Sequence, residues 1–120
     1  MRRIGAHVST AGGTSKALDR TKEIGGNCLQ IFAGSPRSWA RKLYSEKEVD
    51  DYLRRAVSEN INPVFIHALY LVNLATDNPD LLKKSVDSLI MDMKNGDAIN
   101  SAGVIVHVGS HQGRGFDAVV

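Results

Sequence analysis

The chain has little cysteine and no long apolar run, and each shortage excludes a class of protein. Its only cysteine, Cys28, lies inside an apolar run and is expected to be a buried packing residue. A disulfide scaffold is therefore excluded, and a reducing compartment is favoured. No run approaches the roughly 18 apolar residues that a membrane span requires. Between the basic start Met1-Arg2-Arg3 and His7 there is too little apolar sequence for a signal peptide. We therefore expect a soluble, cytoplasmic protein that has no membrane partner.

Low-complexity segments and blocks of like charge are also missing from the sequence. The 120 residues are 42% hydrophobic, which is enough for one modest core, and no linker divides them into domains. A net charge of +2 is compatible with a polyanionic partner but does not by itself indicate one. A single globular unit is expected.

Short apolar runs alternate with helical patterns along the chain. The apolar runs predict four buried parallel strands at 3–7, 28–32, 64–67 and 104–107. The helical patterns predict helices at about 14–24 and 46–60, and a longest helix that starts at Pro79 and runs towards Gly103. Gly96 weakens the prediction for the last turns of that helix, and Asp117 is a candidate start for a fourth helix.

Local signals predict where the helices begin and end. Gly25-Gly26 ends the first helix, Ser45 and Glu48 form an S-x-x-E capping box for the second, and Asn78-Pro79 starts the third. Apolar spacing predicts the inner faces of the helices. These faces comprise Ala17, Leu18, Thr21 and Ile24 in the first helix, Val49, Tyr52, Leu53, Ala56 and Val57 in the second, and Leu82, Val86, Leu89, Ile90, Met93 and Ile99 in the third.

Four strand–helix units in 120 residues have the spacing of a (β/α)₈ barrel, which typically needs about 250 residues. The sequence therefore predicts an α/β fold made of the first four βα units of a truncated TIM barrel. A doubly wound sheet also fits the alternation. However, the chain carries neither a G-x-G-x-x-G loop nor a Walker-type loop, so the barrel is preferred.

All four histidines lie at or near the ends of predicted strands. His7, His67 and His107 end the first, third and fourth strands, and His111 follows shortly afterwards. The carboxyl ends of parallel strands meet at one edge, where such folds place their chemistry. Imidazoles gathered there predict a metal site. The alternative for each histidine is a buried ring that only bonds to nearby backbone.

Four motifs follow one another in an order that resembles the endonuclease IV family, also called deoxyribonuclease IV. They are Ile4-Gly5-Ala6-His7-Val8-Ser9 with Ala11-Gly12-Gly13, then Phe32 with Pro36-Arg37-Ser38-Trp39, then His67-Ala68-Leu69-Tyr70-Leu71-Val72-Asn73-Leu74, and finally His107-Val108-Gly109-Ser110-His111. The resemblance implies that residues 1–120 are the N-terminal half of a TIM-barrel endonuclease domain, incomplete at the C-terminus. It also implies a zinc-dependent enzyme of base excision repair, which cuts DNA 5′ to abasic sites and clears blocked 3′ ends.

The same resemblance assigns the metal ligands. His67 and His107 match the first two ligands of a site that holds three Zn²⁺ ions, and clustered metals suit phosphodiester hydrolysis. His7 and His111 are not carried over as ligands; each either supports a ligand or phosphate, or only bonds within its loop. Ser9 is a weaker candidate for a close approach of phosphate to the backbone.

The resemblance also implies residues that contact double-stranded DNA. Arg37 and Tyr70 match residues that enter the minor groove and kink the duplex at the lesion, which requires no reading of base sequence. Trp39 either contacts DNA with them or covers the start of the second helix.

The expected site is incomplete, because no Asp or Glu ends any predicted strand. We therefore expect the 120 residues alone to be inactive and, with unpaired edge strands, to self-associate, whereas the full-length protein is expected to be a monomer. Two alternatives remain. One is a metal-dependent sugar isomerase or epimerase on a similar barrel. The other is a non-catalytic half barrel that pairs with a second copy or a separately encoded half.

Overall fold

Four parallel strands and three α-helices alternate along the chain in a computed structural model that describes residues 1–120. In chain order the elements are β1 (Gly5–His7), α1 (Thr14–Glu23), β2 (Cys28–Phe32), α2 (Glu46–Ser58), β3 (Val64–His67), α3 (Pro79–Ala98) and β4 (Gly103–Ile105). The strands form one open sheet in the order β1-β2-β3-β4, and every neighbouring pair is parallel. The predicted alternation is therefore confirmed. None of the helices combines the length and the apolar character needed to cross a membrane.

The main core lies between one face of the sheet and the helices. Leu29 and Ile31 of β2 alternate inward with less buried positions, as do Val64 and Ile66 of β3. Ala17, Leu18 and Tyr52 from α1 and α2 close over these four residues. Cys28 lies on the opposite, open face and is half-buried rather than buried as the sequence predicts.

The two edge strands are not buried, in contrast to the prediction. All three residues of β1 are exposed, and β4 is at most half-buried. β4 also ends at Ile105, two residues earlier than predicted, because its ladder with β3 reaches only from Gly103 to Ile105. β1 and β4 are the edge strands of the open sheet, and strands of a parallel sheet are buried only where other layers cover both faces.

Helices α1 and α2 are joined at their N-termini. Ser45 accepts the amide hydrogen of Glu48 at 3.2 Å, which is half of the predicted capping box. The carboxylate of Glu48 turns instead to α1, where it accepts from the backbone N of Thr14 at 3.1 Å and from the Thr14 hydroxyl at 2.5 Å. Glu48 therefore caps the neighbouring helix rather than its own, which satisfies an otherwise unpaired amide and places a negative charge at the positive end of α1.

Two of the predicted inner-face residues of these helices are exposed. Ile24 follows the last turn of α1, where Gly25 takes a φ of 74° and turns the chain away. Val57 lies on the rim of a shallow apolar groove between α2 and the end of α3. Neither side chain reaches the sheet.

Helix α3 is turned the opposite way from the prediction. It starts as expected, with the Asn78 side chain accepting from the amides of Asp80 and Leu81 and with Pro79 in the first turn. Its buried face, however, is polar apart from Gly96, and the buried Ile99 lies just past the end of the helix. The polar residues of that face are Ser85, Ser88, Asp92 and Asn95. Four predicted core residues are exposed instead, and we call them the α3 apolar stripe: Leu82, Val86, Ile90 and Met93.

The end of α3 packs tightly on β3. Gly96 does not interrupt the helix, and a Cβ added there would lie 3.5 Å from Cδ1 of Ile66 and 3.4 Å from Cβ of Ser101. The glycine therefore permits a close helix–strand contact. Near the C-terminus, Phe116–Ala118 forms a single 3₁₀ turn around Asp117, the candidate start of a fourth helix.

Candidate functional site

Three of the four histidines meet at the carboxyl edge of the sheet. The ring centroids of His67 and His107 are 5.2 Å apart, and those of His7 and His67 are 6.3 Å apart. Phe32, which ends β2, packs between two of these histidines, at 4.4 Å from His7 and 5.5 Å from His67. Parallel register explains the grouping, because His7, Phe32 and His67 end adjacent strands.

His67 is held in the ring form that suits a metal ligand. Its Nδ1 lies 2.6 Å from the carbonyl oxygen of Ala68, and a carbonyl can only accept, so Nδ1 carries the proton. The lone pair of the neutral ring is then on Nε2, which the fold leaves available. Metal-bound histidines are usually oriented by this type of bond through the second nitrogen. The exposed His107 ring lies next to it.

His7 has the opposite arrangement. The amide nitrogen of Gln30 lies 2.8 Å from Nδ1 of His7 and donates to it, so the neutral ring carries its proton on Nε2. Burial, together with the nearby His67, lowers the pKa of His7 and favours this neutral form. His7 therefore presents a hydrogen-bond donor, which suits an anionic oxygen better than a metal ion.

The chain supplies only part of a metal site. No group of three or more His, Cys, Asp or Glu side chains is arranged to hold a metal ion. His67 and His107 fit two imidazole positions of a zinc site, and a set of three Zn²⁺ ions does not fit these two neutral ligands. The missing donors would have to be carboxylates, which balance the charge.

His111 and Ser9 are both engaged in local loop contacts. Nδ1 of His111 accepts the amide hydrogens of Gly113 and Gly115. The hydroxyl of Ser9 accepts from the amide of Ala11, and its carbonyl accepts from Arg20. These bonds shape the loops after β4 and β1, and neither residue joins the three clustered histidines.

The loop between β2 and α2, residues 33–45 (the 33–45 loop), meets the loop after β3 beside the histidines. Tyr70 is 63% exposed, and its ring stands edge-on to Phe32 at 5.3 Å and to His67 at 6.0 Å. The backbone amide of Tyr70 donates to the carbonyl of Pro36 at 3.2 Å. The exposed Arg37 follows directly. The structure thus brings Arg37 and Tyr70 to the same rim as His67.

Trp39 is half-buried and packs on a small apolar cluster formed by Ala68, Leu69 and Val72. This packing surface follows β3 and differs from the start of the second helix, where the sequence predicts that the indole packs. The cluster lies under the loop that carries Tyr70, so the indole joins the 33–45 loop to its neighbour.

The fold and these motifs match a known family over most of the chain. The model of the xylose isomerase-like TIM-barrel family matches residues 18–119 of the chain. The chain belongs to this family. The four-stranded open sheet is therefore part of a TIM barrel, as the sequence predicts.

Within the xylose isomerase-like TIM-barrel family, the chain is similar to proteins that carry endonuclease names. The chain is 44% identical over 114 residues to a protein of Halothermothrix orenii named "Probable endonuclease 4", and 40% identical over 112 residues to one of the same name from Haloquadratum walsbyi. These matches cover 95% and 93% of this chain but only 41% and 40% of the relatives. The crystal structure of endonuclease IV from Thermus thermophilus superposes with a TM-score of 0.87 at 37% identity, covering 92% of this chain and 42% of that one. The resemblance to endonuclease IV is confirmed, and the chain spans about two fifths of the length of these relatives.

A buried polar group behind the rim was missed by the sequence analysis. Arg41 lies in the 33–45 loop with a side chain 5% exposed, and its Nε is 3.4 Å from Oδ1 of Asp92, which is 1% exposed. Asn95, one turn further along α3, accepts from the amide of Tyr44 at 2.9 Å and donates to the carbonyl of Lys42 at 2.9 Å. Ser85, Ser88, Asp92 and Asn95 do recur at helical spacing, but this spacing alone does not show that their face is the buried one.

Burial controls the titration of this polar group. It raises the pKa of Asp92 from its usual value to about 6, although Arg41 opposes the shift. Burial likewise raises the pKa of Tyr44 to about 12. Neither carboxylate oxygen of Asp92 has a hydrogen-bond partner, so the carboxylate faces Arg41 through charge alone.

Proposed function

We propose that the protein to which this chain belongs is a cytoplasmic, zinc-dependent endonuclease of base excision repair that cuts DNA on the 5′ side of abasic sites. One observation carries the proposal. A histidine in ligand-ready form, His67, stands beside His107 and shares one rim with the exposed Arg37 and Tyr70. The similarity to proteins named endonuclease 4 supports the same function.

His67 and His107 are the residues that would hold zinc. When bound, zinc lowers the pKa of a water and neutralises charge on the phosphate, which is the chemistry that phosphodiester hydrolysis needs. The bond from His67 Nδ1 to the Ala68 carbonyl fixes the ring's orientation before any ligand arrives. His7, with its proton on Nε2, would donate to a phosphate oxygen from the first strand.

Arg37 and Tyr70 would recognise the lesion in double-stranded DNA. A duplex that lacks a base costs less to unstack and kink than an intact one, so inserted side chains select damage without reading sequence. Tyr70 presents most of its ring to solvent at the rim, and Arg37 lies on the adjacent loop. Blocked 3′ ends would meet the same rim. Trp39 would support these residues from below.

The sugar-isomerase alternative shares the family fold, so the family match alone does not separate the two activities. The exposed arginine and tyrosine at the rim favour a large polyanion, because a small sugar needs no residues that insert into a duplex. A rise in melting temperature with a sugar and none with abasic DNA would favour the isomerase.

Reconstitution of nicking activity tests the proposal. We expect the 120-residue chain with Zn²⁺ to leave an abasic duplex uncut, because it lacks carboxylate ligands. Mixing it with the part of the Halothermothrix orenii relative that it does not match should restore cutting 5′ to the abasic site. His107→Ala should abolish that activity, and Arg37→Ala should lower it mainly by weakening DNA binding.

Arg54→Ala, which removes an exposed arginine on α2, is the matched control and should leave activity unchanged. Metal-dependent cutting by the chain alone that disappears in His107→Ala would show that the chain is complete as an enzyme. A reconstituted mixture that cuts equally well with His107→Ala would exclude the assigned ligand.

A further inference from the structure

The 33–45 loop is organised by one buried side chain. Nη1 of Arg41 lies 3.0 Å from the carbonyl oxygen of Ser35, 3.2 Å from that of Ser38 and 3.1 Å from that of Ala40. The guanidinium therefore donates to carbonyls on both sides of Arg37 and Trp39. All three contacts come from Nη1, whose two hydrogens are shared among the carbonyls, while Nε faces Asp92. A guanidinium can serve the loop and Asp92 through different nitrogens, whereas a lysine has a single nitrogen for both.

Helix α3 holds this guanidinium from behind. Asp92 and Arg41 are almost completely buried, at 1% and 5% exposed, so each charge needs the other. Gly34 leaves room for the contact, because a Cβ added there would lie 3.0 Å from Nη1 of Arg41. The loop therefore closes over its own arginine, and that arginine is fixed to a rigid helix.

A buried ion pair is a poor source of net stability, because desolvation offsets the attraction between the charges. Asp92 shows this cost directly, since neither of its carboxylate oxygens is hydrogen-bonded. The contacts of Arg41 instead go to the carbonyls that set the path of the loop. The pair is therefore better suited to fixing a conformation than to stabilising the fold.

We infer that Arg41, held by Asp92, is a positioning residue that sets the 33–45 loop and thereby places Arg37 at the rim. The step from loop to DNA rests on the proposed function, in which Arg37 contacts the abasic duplex. The step from Arg41 to loop stands on the contacts alone. The two steps can therefore be tested separately.

The loop step is tested with Arg41→Met/Asp92→Leu, which removes both charges and leaves none unpaired. Trp39 is the only tryptophan, so its emission reports on this loop. We expect the urea midpoint to stay close to that of the wild type, the emission of Trp39 to shift to longer wavelength, and trypsin to cut after Arg37 about tenfold faster.

Arg41→Lys keeps the positive charge but loses the guanidinium, so it should speed cleavage after Arg37 to a smaller extent. If the double variant does not fold, this single variant tests whether Arg41 positions the loop. Arg54→Met, at an exposed arginine of α2, is the control and should change neither readout. Unchanged emission and unchanged cleavage in a folded Arg41 variant would overturn the inference.

The DNA step is tested by a double-mutant cycle on labelled abasic duplex, with each variant of the chain mixed with the part of the Halothermothrix orenii relative that it does not match. Removing the Arg41–Asp92 pair should weaken binding about tenfold when Arg37 is present and hardly at all in an Arg37→Ala background. Equal losses in both backgrounds would show that the pair does not act through Arg37. If no form of the reconstituted mixture binds abasic duplex, the proposed function fails, while the loop readouts on the chain itself still decide whether Arg41 positions the loop.

Discussion

At the scale of single residues, Gly5 has the closest neighbouring backbone of all the glycines in the chain. A Cβ built there would lie 1.7 Å from the backbone oxygen of Cys28 on β2, a distance that no side-chain movement can relieve. Gly103 on the opposite edge strand has nothing within 4 Å of the same position. Both glycines therefore lie on edge strands, but only Gly5 lacks room for a side chain.

We expect Gly5→Ala to lower the free energy of unfolding by about 1–3 kcal/mol, because β1 must move away from β2 to admit the methyl group. Gly103→Ala should stay within about 0.5 kcal/mol of the wild type, since its methyl group meets open space. Urea unfolding of the two variants side by side measures the difference. Equal effects at both positions would contradict the close approach of β1 to β2.

Asp92 should make stability depend on pH. Its pKa is raised by burial to about 6 in the folded chain, so the folded state retains a proton that the unfolded chain releases near pH 4. The contribution of Asp92 is thus fully present below about pH 4 and is lost as pH rises through about 6. We expect this loss to approach about 3 kcal/mol.

Urea unfolding between pH 4 and pH 7 measures this effect. Asp92→Asn cannot ionise, so its difference from the wild type should change across the window. Asp97→Asn, at an exposed position of the same helix, serves as the control. A difference between Asp92→Asn and the wild type that stays constant with pH would show that Asp92 does not titrate in this range.

At the scale of elements, the sequence predicted what depends on local chemistry. The start of α3 follows from Asn78 and Pro79 alone. The meeting of His67 with His107 follows from parallel strands that run to the same edge, with His107 two residues past the end of β4. The inner face of α3 does not follow, because its sequence contains two stripes at helical spacing, one apolar and one polar. Periodicity cannot show which stripe meets the sheet.

The polar stripe faces inward because it has partners far away in sequence. Asn95 bonds to backbone groups at positions 42 and 44, and the Ser85 hydroxyl accepts the amide hydrogen of Asn73. Such pairings depend on the folded path of two loops, which no local pattern records. For the same reason Arg41 gave no signal, whereas His67 and Arg37 were recognisable from motifs.

At the scale of the whole molecule, the exposed surfaces predict self-association. β1 and β4 leave unpaired edges, and the α3 apolar stripe exposes Ile90 and Met93 by 45% and 63%. We expect the weight-average mass in sedimentation to rise with concentration. Ile90→Lys/Met93→Lys should reduce this rise without lowering the free energy of unfolding, because neither side chain is in the core.

Ile24→Lys is the control for that variant, because Ile24 is also exposed but lies beyond the end of α1. It should associate as the wild type does. A wild-type chain that stays monomeric at high concentration, or a stripe variant that associates unchanged, would exclude the stripe as a contact surface.

The bond between the Tyr70 amide and the Pro36 carbonyl makes the two rim loops one mechanical unit. The donor of this hydrogen bond is the backbone amide, so the bond does not depend on the side chain at position 70. Only proline, which has no amide hydrogen, would remove it. The aromatic ring and the tether at this position are thus independent properties. A substitution at position 70 can therefore change what this edge stacks against while the two loops keep their positions. Recognition at this edge can vary without a change in backbone structure.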